Sequence, residues 1–263
     1  MHFKKHDIIR LLERVQIFAT ENLNQIDKLN VDMSNDYDKF FIGMAERQLT
    51  ICNDLSILFT NKKSKFLTSE LILFRCLADD YIHVTYLVNQ NNVEESITDF
   101  NADAISKNFN KIKELAELNE KKLGGNYPFY PTYKLLEQVK EEMKSLPYRQ
   151  QYFLDKDKFK FKTFKATGNL IRELNNESYA HKLQRAYFIW RKLSDFVHYS
   201  NFTFDEERSL KPETDETYSE FAELISYSYF TIKTCIEHFV NKFQISIIDS
   251  NNLNNYYKDA ENR

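Results

Sequence analysis

The chain has 263 residues, a formal net charge of −3, a hydrophobic share of 42% and only 4 Gly and 4 Pro. It is long enough to bury a substantial core, and so few turn-formers exclude a β-sandwich or a doubly wound sheet. Acids and bases nearly in balance exclude a uniformly basic nucleic-acid binder, though not a local basic patch. The composition, with 22 Phe and 16 Tyr, predicts an all-α fold with an aromatic core: a single-domain bundle of about seven or eight helices over residues 1–250, then a polar, frayed tail over 251–263.

In chain order, Phe3, Ile8, Leu11, Leu12, Val15, Phe18, Ala19 and Leu23 recur at three- and four-residue steps, predicting a first helix over ~3–29. After a polar break, Asp36 is expected to cap a second helix over ~37–61. Thr68 or Ser69 is expected to cap a third, ending near Asn89. A more polar fourth helix, ~94–123, should stop at Gly124-Gly125, since glycine accepts the left-handed backbone of a helix end. A turn at Tyr127–Pro131 leads to a fifth helix that Pro147 terminates. Over ~148–167, Phe159, Phe161 and Phe164 alternate with Lys158, Lys160, Lys162 and Lys165; period two predicts an extended segment or short β-ribbon. Helices follow at ~168–175, ~177–200 and ~214–248.

Cys52, Cys76 and Cys235 are odd in number and widely separated, so they read as reduced core thiols of a cytoplasmic protein. The charged start, Met1-His2-Phe3-Lys4-Lys5, is no signal segment. No apolar run approaches the ~18 residues of a membrane span.

The most informative stretch is Ile-Trp-Arg-Lys-Leu-Ser-Asp-Phe-Val-His-Tyr-Ser, residues 189–200. Arg191, Ser194, Asp195 and His198 fall at offsets of zero, three, four and seven, so one continuous helix would stack them on one face. Ile189, Trp190, Leu193, Phe196 and Val197 give that helix an apolar surface. The third helix holds a second row, Arg75, Asp79, His83 and Tyr86, with Asp80 beside it. Arg75 and Asp79 are spaced to pair, and the plainer reading makes them a structural clamp. Both rows need a core-facing surface, so Arg75 or Asp79 is expected within hydrogen-bonding or one-water reach of Ser194 or His198.

Two segments resemble conserved stretches of the all-helical bacterial DUF5677 group. One is Phe74-Arg75-Cys76-Leu77-Ala78-Asp79-Asp80-Tyr81 followed by Tyr86-Leu87, with Asp79 where that group usually has Glu. The other is Tyr187 with Leu193-Ser194-Asp195-Phe196-Val197-His198-Tyr199-Ser200. The resemblance covers roughly residues 35–245 and implies an all-helical fold, with no established activity. Arg191 and His198 also lie at the edge of the Arg-x(4–6)-His pattern of HEPN ribonucleases of toxin and defence systems. That similarity implies proton transfer by His198 at a ribose 2′-OH, with Arg191 on the phosphate and Ser194 and Asp195 beside them; Arg75, Asp79 and His83 would support the site.

Two alternatives stand beside the nuclease. In a non-enzymatic interaction or scaffold module, the polar rows only fix helix register. In a carboxylate–histidine metal bundle, Asp80-x-x-His83 and Asp195-x-x-His198 would combine with Glu46 and with Glu223 or Glu237. No phosphate loop, nucleophile elbow or zinc-protease motif is present, so no cofactor is expected. His2, His6, His181 and His238 stand alone and read as surface or core-edge residues. The lysine-rich ribbon could touch phosphates, but more simply lays its Phe face on the bundle and keeps Lys in water. The expected partners are RNA, another protein or a second copy of the chain, and not a membrane.

Overall fold

A computed structural model describes residues 3–61, 67–174, 178–197, 215–249 and 253. The fold is an all-α bundle whose described strands form one small antiparallel sheet. Contacts gather the chain into two compact units, Met1–Asn89 with Thr167–Arg263, and Gln90–Ala166.

The first unit contains α1 (Lys5–Ile26), α2 (Asp36–Asn61), α3 (Thr68–Val88), α6 (Thr167–Glu173), α7 (Ala180–Ser194) and α8 (Asp215–Phe243). On α1, Ile8, Leu11, Leu12, Val15, Phe18 and Ala19 are all fully buried, the three/four repeat that the sequence shows. Each such side chain contributes roughly 1.5–3 kcal/mol relative to exposure. Aromatic rings join the helices: Phe74 of α3 stacks on Phe221 of α8 with centroids 4.5 Å apart, and Phe18 of α1 meets Tyr229 at 4.8 Å.

Several helix ends differ from expectation by local chemistry. Asn35, not Asp36, caps α2, its side-chain oxygen accepting the Tyr37 amide at 2.9 Å, because the capping group must sit one residue outside the first turn. Leu67 occupies the cap position of α3 and gives no side-chain capping bond. The last helix stops at Phe243 because Gln244 turns to a φ of 55°, a left-handed stop made without glycine. Beyond it, Asn22 of α1 holds the chain from both sides. Its Nδ2 donates to the Ile248 carbonyl at 2.9 Å, and its Oδ1 accepts the Ile248 amide at 2.9 Å. The tail expected to fray lies outside the described residues except for Leu253, which is buried.

The second unit contains α4 (Val93–Lys122), α5 (Tyr133–Ser145), a 3-10 turn over Pro147–Tyr152, and strands β1 (Phe153–Asp155) and β2 (Lys160–Phe161). Asn92 caps α4 by accepting the Glu95 amide at 3.2 Å. Gly124 and Gly125 end α4 with φ of 67° and 72°, and the Gly125 amide bonds the Asn119 carbonyl at 2.9 Å. The ribbon lays Phe153 and Phe161 on Ala102, Met143 and Tyr152, with Phe159 packed alongside.

Candidate functional site

The polar rows of α3 and α7 meet at one point. Arg75 Nε donates to Ser194 Oγ at 2.9 Å, and Ser194 Oγ donates to the Trp190 carbonyl at 2.7 Å. The Arg75 guanidinium also lies over the Trp190 ring, 4.8 Å from its centroid, a cation–π contact. The Tyr187 ring stacks with that of Trp190, centroids 5.6 Å apart. Among the described residues the buried Trp190 Nε1 has no acceptor, so Trp190 serves by its ring face and its backbone carbonyl.

Among the described residues no ion pair joins Arg75 to Asp79. Asp79 turns to His83, whose Nδ1 lies 2.9 Å from the Asp79 carbonyl and 3.8 Å from its Oδ1. A carbonyl can only accept, so Nδ1 donates to it; with the imidazole neutral, Nε2 accepts from Thr167 Oγ1 at 3.4 Å. The expected Arg75–Asp79 clamp is thus replaced by Arg75–Ser194, a bond between helices, because Arg75 leans toward α7 while Asp79 stays beside His83 on its own helix.

The face expected from residues 191–198 is not built as one continuous α-helix. The α-helix ends at Ser194, where the hydroxyl bonds back four residues, and the chain tightens into a 3-10 turn over Asp195–Val197. Such back-bonding competes with the helix ladder, and 3-10 geometry changes the angular step. Arg191 and Asp195 are exposed, whereas Ser194 is half-buried against α3. Arg191 lies 6.0 Å from the Tyr187 ring centroid. His198 lies outside the described residues.

Asp80 points away from this group, toward α2. It accepts from Arg47 Nε at 2.8 Å and Gln48 Nε2 at 2.7 Å. Burial pushes its carboxyl above the usual carboxylate range, against the opposing charge and hydrogen bond of Arg47. Among the described residues the metal arrangement is not assembled: Asp80 and His83 diverge, Glu46 is exposed, and Glu223 is held by Arg185 at 3.0 and 2.9 Å and by the Tyr227 hydroxyl. No group of three or more His, Cys, Asp or Glu positioned for a metal occurs among the described residues.

A further polar cluster escaped the sequence reading. His238 does not stand alone. Its Nε2 lies 2.7 Å from Oδ1 of Asp38, a fully buried carboxylate that also accepts from Lys242. Phe41 stacks on the His238 ring at 4.4 Å and Tyr37 meets it edge-on at 4.7 Å. Burial alone would raise the Asp38 carboxyl; the bonds from His238 and Lys242 more than offset that and hold it below its ordinary value. The sole sequence signal was a His at four-residue spacing from Lys242 on an apolar helix face, with its partner two hundred residues away.

No protein-family model matches the chain, nor does any curated protein or solved structure.

Proposed function

We propose that this protein is a non-enzymatic helical interaction module, in which the polar rows of α3 and α7 fix helix register and turn over no substrate. The observation that carries this reading is the Arg75–Ser194–Trp190 group: the guanidinium Nε, the hydroxyl and the backbone carbonyl are bonded in series at 2.9 and 2.7 Å. A charge placed near a core is tolerated when it is bonded in this way, and specific polar contacts of this kind select one helix pairing over its neighbours. Asp80 with Arg47 and Gln48 does the same between α2 and α3. The free, buried thiols of Cys52 and Cys235 suit a reducing cytoplasm. Among the described residues, no helix is long and apolar enough to cross a membrane.

A HEPN-like ribonuclease of defence or stress response, of the DUF5677 type, is the second reading. One observation favours it: Arg191 is exposed and, among the described residues, engages no carboxylate, which leaves its charge available to a phosphate. The experiment incubates purified full-length protein with a mixed RNA pool, with and without divalent metal. The module predicts intact RNA for the native chain and for His198→Ala and Arg191→Ala alike. Cleavage that both substitutions abolish, with melting temperature unchanged, would overturn the module and establish the nuclease.

A further inference from the structure

The unit Gln90–Ala166 carries an open cavity of about 660 Å³ between α4, α5 and the β-ribbon. We propose that this cavity binds a nucleotide, with its phosphate on Lys113 and Lys160 and its base against Phe109 and Phe159. That volume falls within the range of small-molecule sites.

Charge sets the class of ligand. Four lysines line the cavity, Lys113, Lys140, Lys158 and Lys160, against two acids, Glu137 and Asp157. Two of the lysines are already committed: Lys140 lies 3.3 Å from Glu137, and Lys158 lies 3.2 Å from Asp155. Among the described residues, Lys113 and Lys160 form no ion pair and are exposed. Asp157 lines the cavity and Asp155 feels the charge of Lys160, yet the lysines outnumber the lining acids, so an anion entering the cavity meets a local excess of ammonium groups, the point charges that lysine offers a phosphate.

The walls narrow the class to a ligand with a flat ring. Phe109 and Phe159 line the cavity half-buried with their rings 4.7 Å apart, and Lys140 Nζ lies 5.8 Å from the Phe159 centroid, so the aromatic wall already sits beside a cation. Aromatic faces accept any base by stacking. Phe159 has a φ of 51°, a conformation that a bulky residue adopts only when its surroundings demand it. Packing against Phe153 and Phe161, with centroids at 5.5 and 5.1 Å, supplies that demand. Asp155 Oδ1 accepts the Lys158 amide at 3.1 Å and closes the same turn. Lys158 and Lys160 therefore leave a turn held in a single shape. An acidic peptide would satisfy the charges and leave the rings unused.

The ligand chemistry has two sources, a free nucleotide or one unit of a single strand. The full-length chain is titrated by calorimetry with adenosine 5′-monophosphate and with a short adenylate strand, at two salt concentrations. Binding of either probe is expected. The double variant Lys113→Gln/Lys160→Gln should weaken it by about tenfold or more and flatten its salt dependence, with melting temperature unchanged because both side chains are exposed. Binding of the mononucleotide identifies a free ligand; binding of the strand alone identifies a nucleic acid. Polyglutamate binding in place of both probes, no binding of either, or equal binding by the variant would overturn the proposal. The inference stands on this unit alone, so RNA cleavage in the preceding experiment would end the module reading without touching it.

Discussion

If the Arg75–Ser194 bond fixes how α3 meets α7, removing either partner should cost stability in a non-additive way. Ser194 Oγ both accepts from Arg75 at 2.9 Å and donates to the Trp190 carbonyl at 2.7 Å. A hydrogen bond to a charged group contributes about 1.5–3 kcal/mol net. Arg75 is half-buried, so water recovers part of that, and Ser194→Ala should cost about 1–2 kcal/mol. Arg75→Ala also removes the contact with the Trp190 ring at 4.8 Å, worth about 0.5–2 kcal/mol, and should cost about 2–3 kcal/mol in all. Once the guanidinium is gone, the serine has less left to lose. The double variant should therefore resemble Arg75→Ala, with a coupling energy of about 1–2 kcal/mol. Urea denaturation of the four proteins measures the cycle, and melting temperature should move by about 2–4 °C per kcal/mol in a chain of this size. Costs that add within about 0.3 kcal/mol would refute the reasoning, since the two residues would then act independently.

Asp38→Asn should cost about 1–3 kcal/mol at pH 7, because it takes the buried carboxylate from His238 and Lys242 while water still screens the partly exposed Lys242. The sign of its pH dependence follows from the depressed Asp38 carboxyl: the contribution is complete above the unfolded carboxylate value of about 3.9 and is lost as pH falls through the lower folded value. The urea midpoints of variant and native protein should thus converge below about pH 4, and a gap that persists or widens there refutes the assignment. Asp80 works in the opposite sense, since its raised carboxyl binds protons more readily in the folded chain. Asn119→Ala should loosen the turn after α4, where one buried amide donates to the carbonyls of Tyr127, Tyr130 and Pro131 and accepts the Tyr127 amide. Its cost of about 1–3 kcal/mol should appear as faster proteolysis near Tyr127; an unchanged cleavage rate would show that water replaces the side chain.

Periodicity made the helices legible because burying one side of a helix imposes a three/four repeat on its own residues, as Ile8 through Ala19 show on α1. The ribbon was legible for the same reason at period two, and Gly124-Gly125 because their positive φ has a residue signature. Boundaries were less so: Gln244 adopts a left-handed stop that its residue type does not announce, and Ser194 ends α7 by bonding its own helix. Of the candidate site, the expectation that Arg75 or Asp79 reaches Ser194 or His198 is met by the Arg75–Ser194 bond, because both rows had to face the core; the Arg75–Asp79 pair read from spacing along one helix is not formed. The Asp38–His238–Lys242 and Asp80–Arg47–Gln48 clusters were invisible, since spacing along a helix can be read and the neighbouring helix cannot. The sequence by itself determined which stretches would coil and which faces would seek the core, because those depend on residues a few positions apart. Only the tertiary structure decided which charges meet, because a buried carboxylate takes its partner from whichever helix lies against it, at a separation along the chain that no local pattern records.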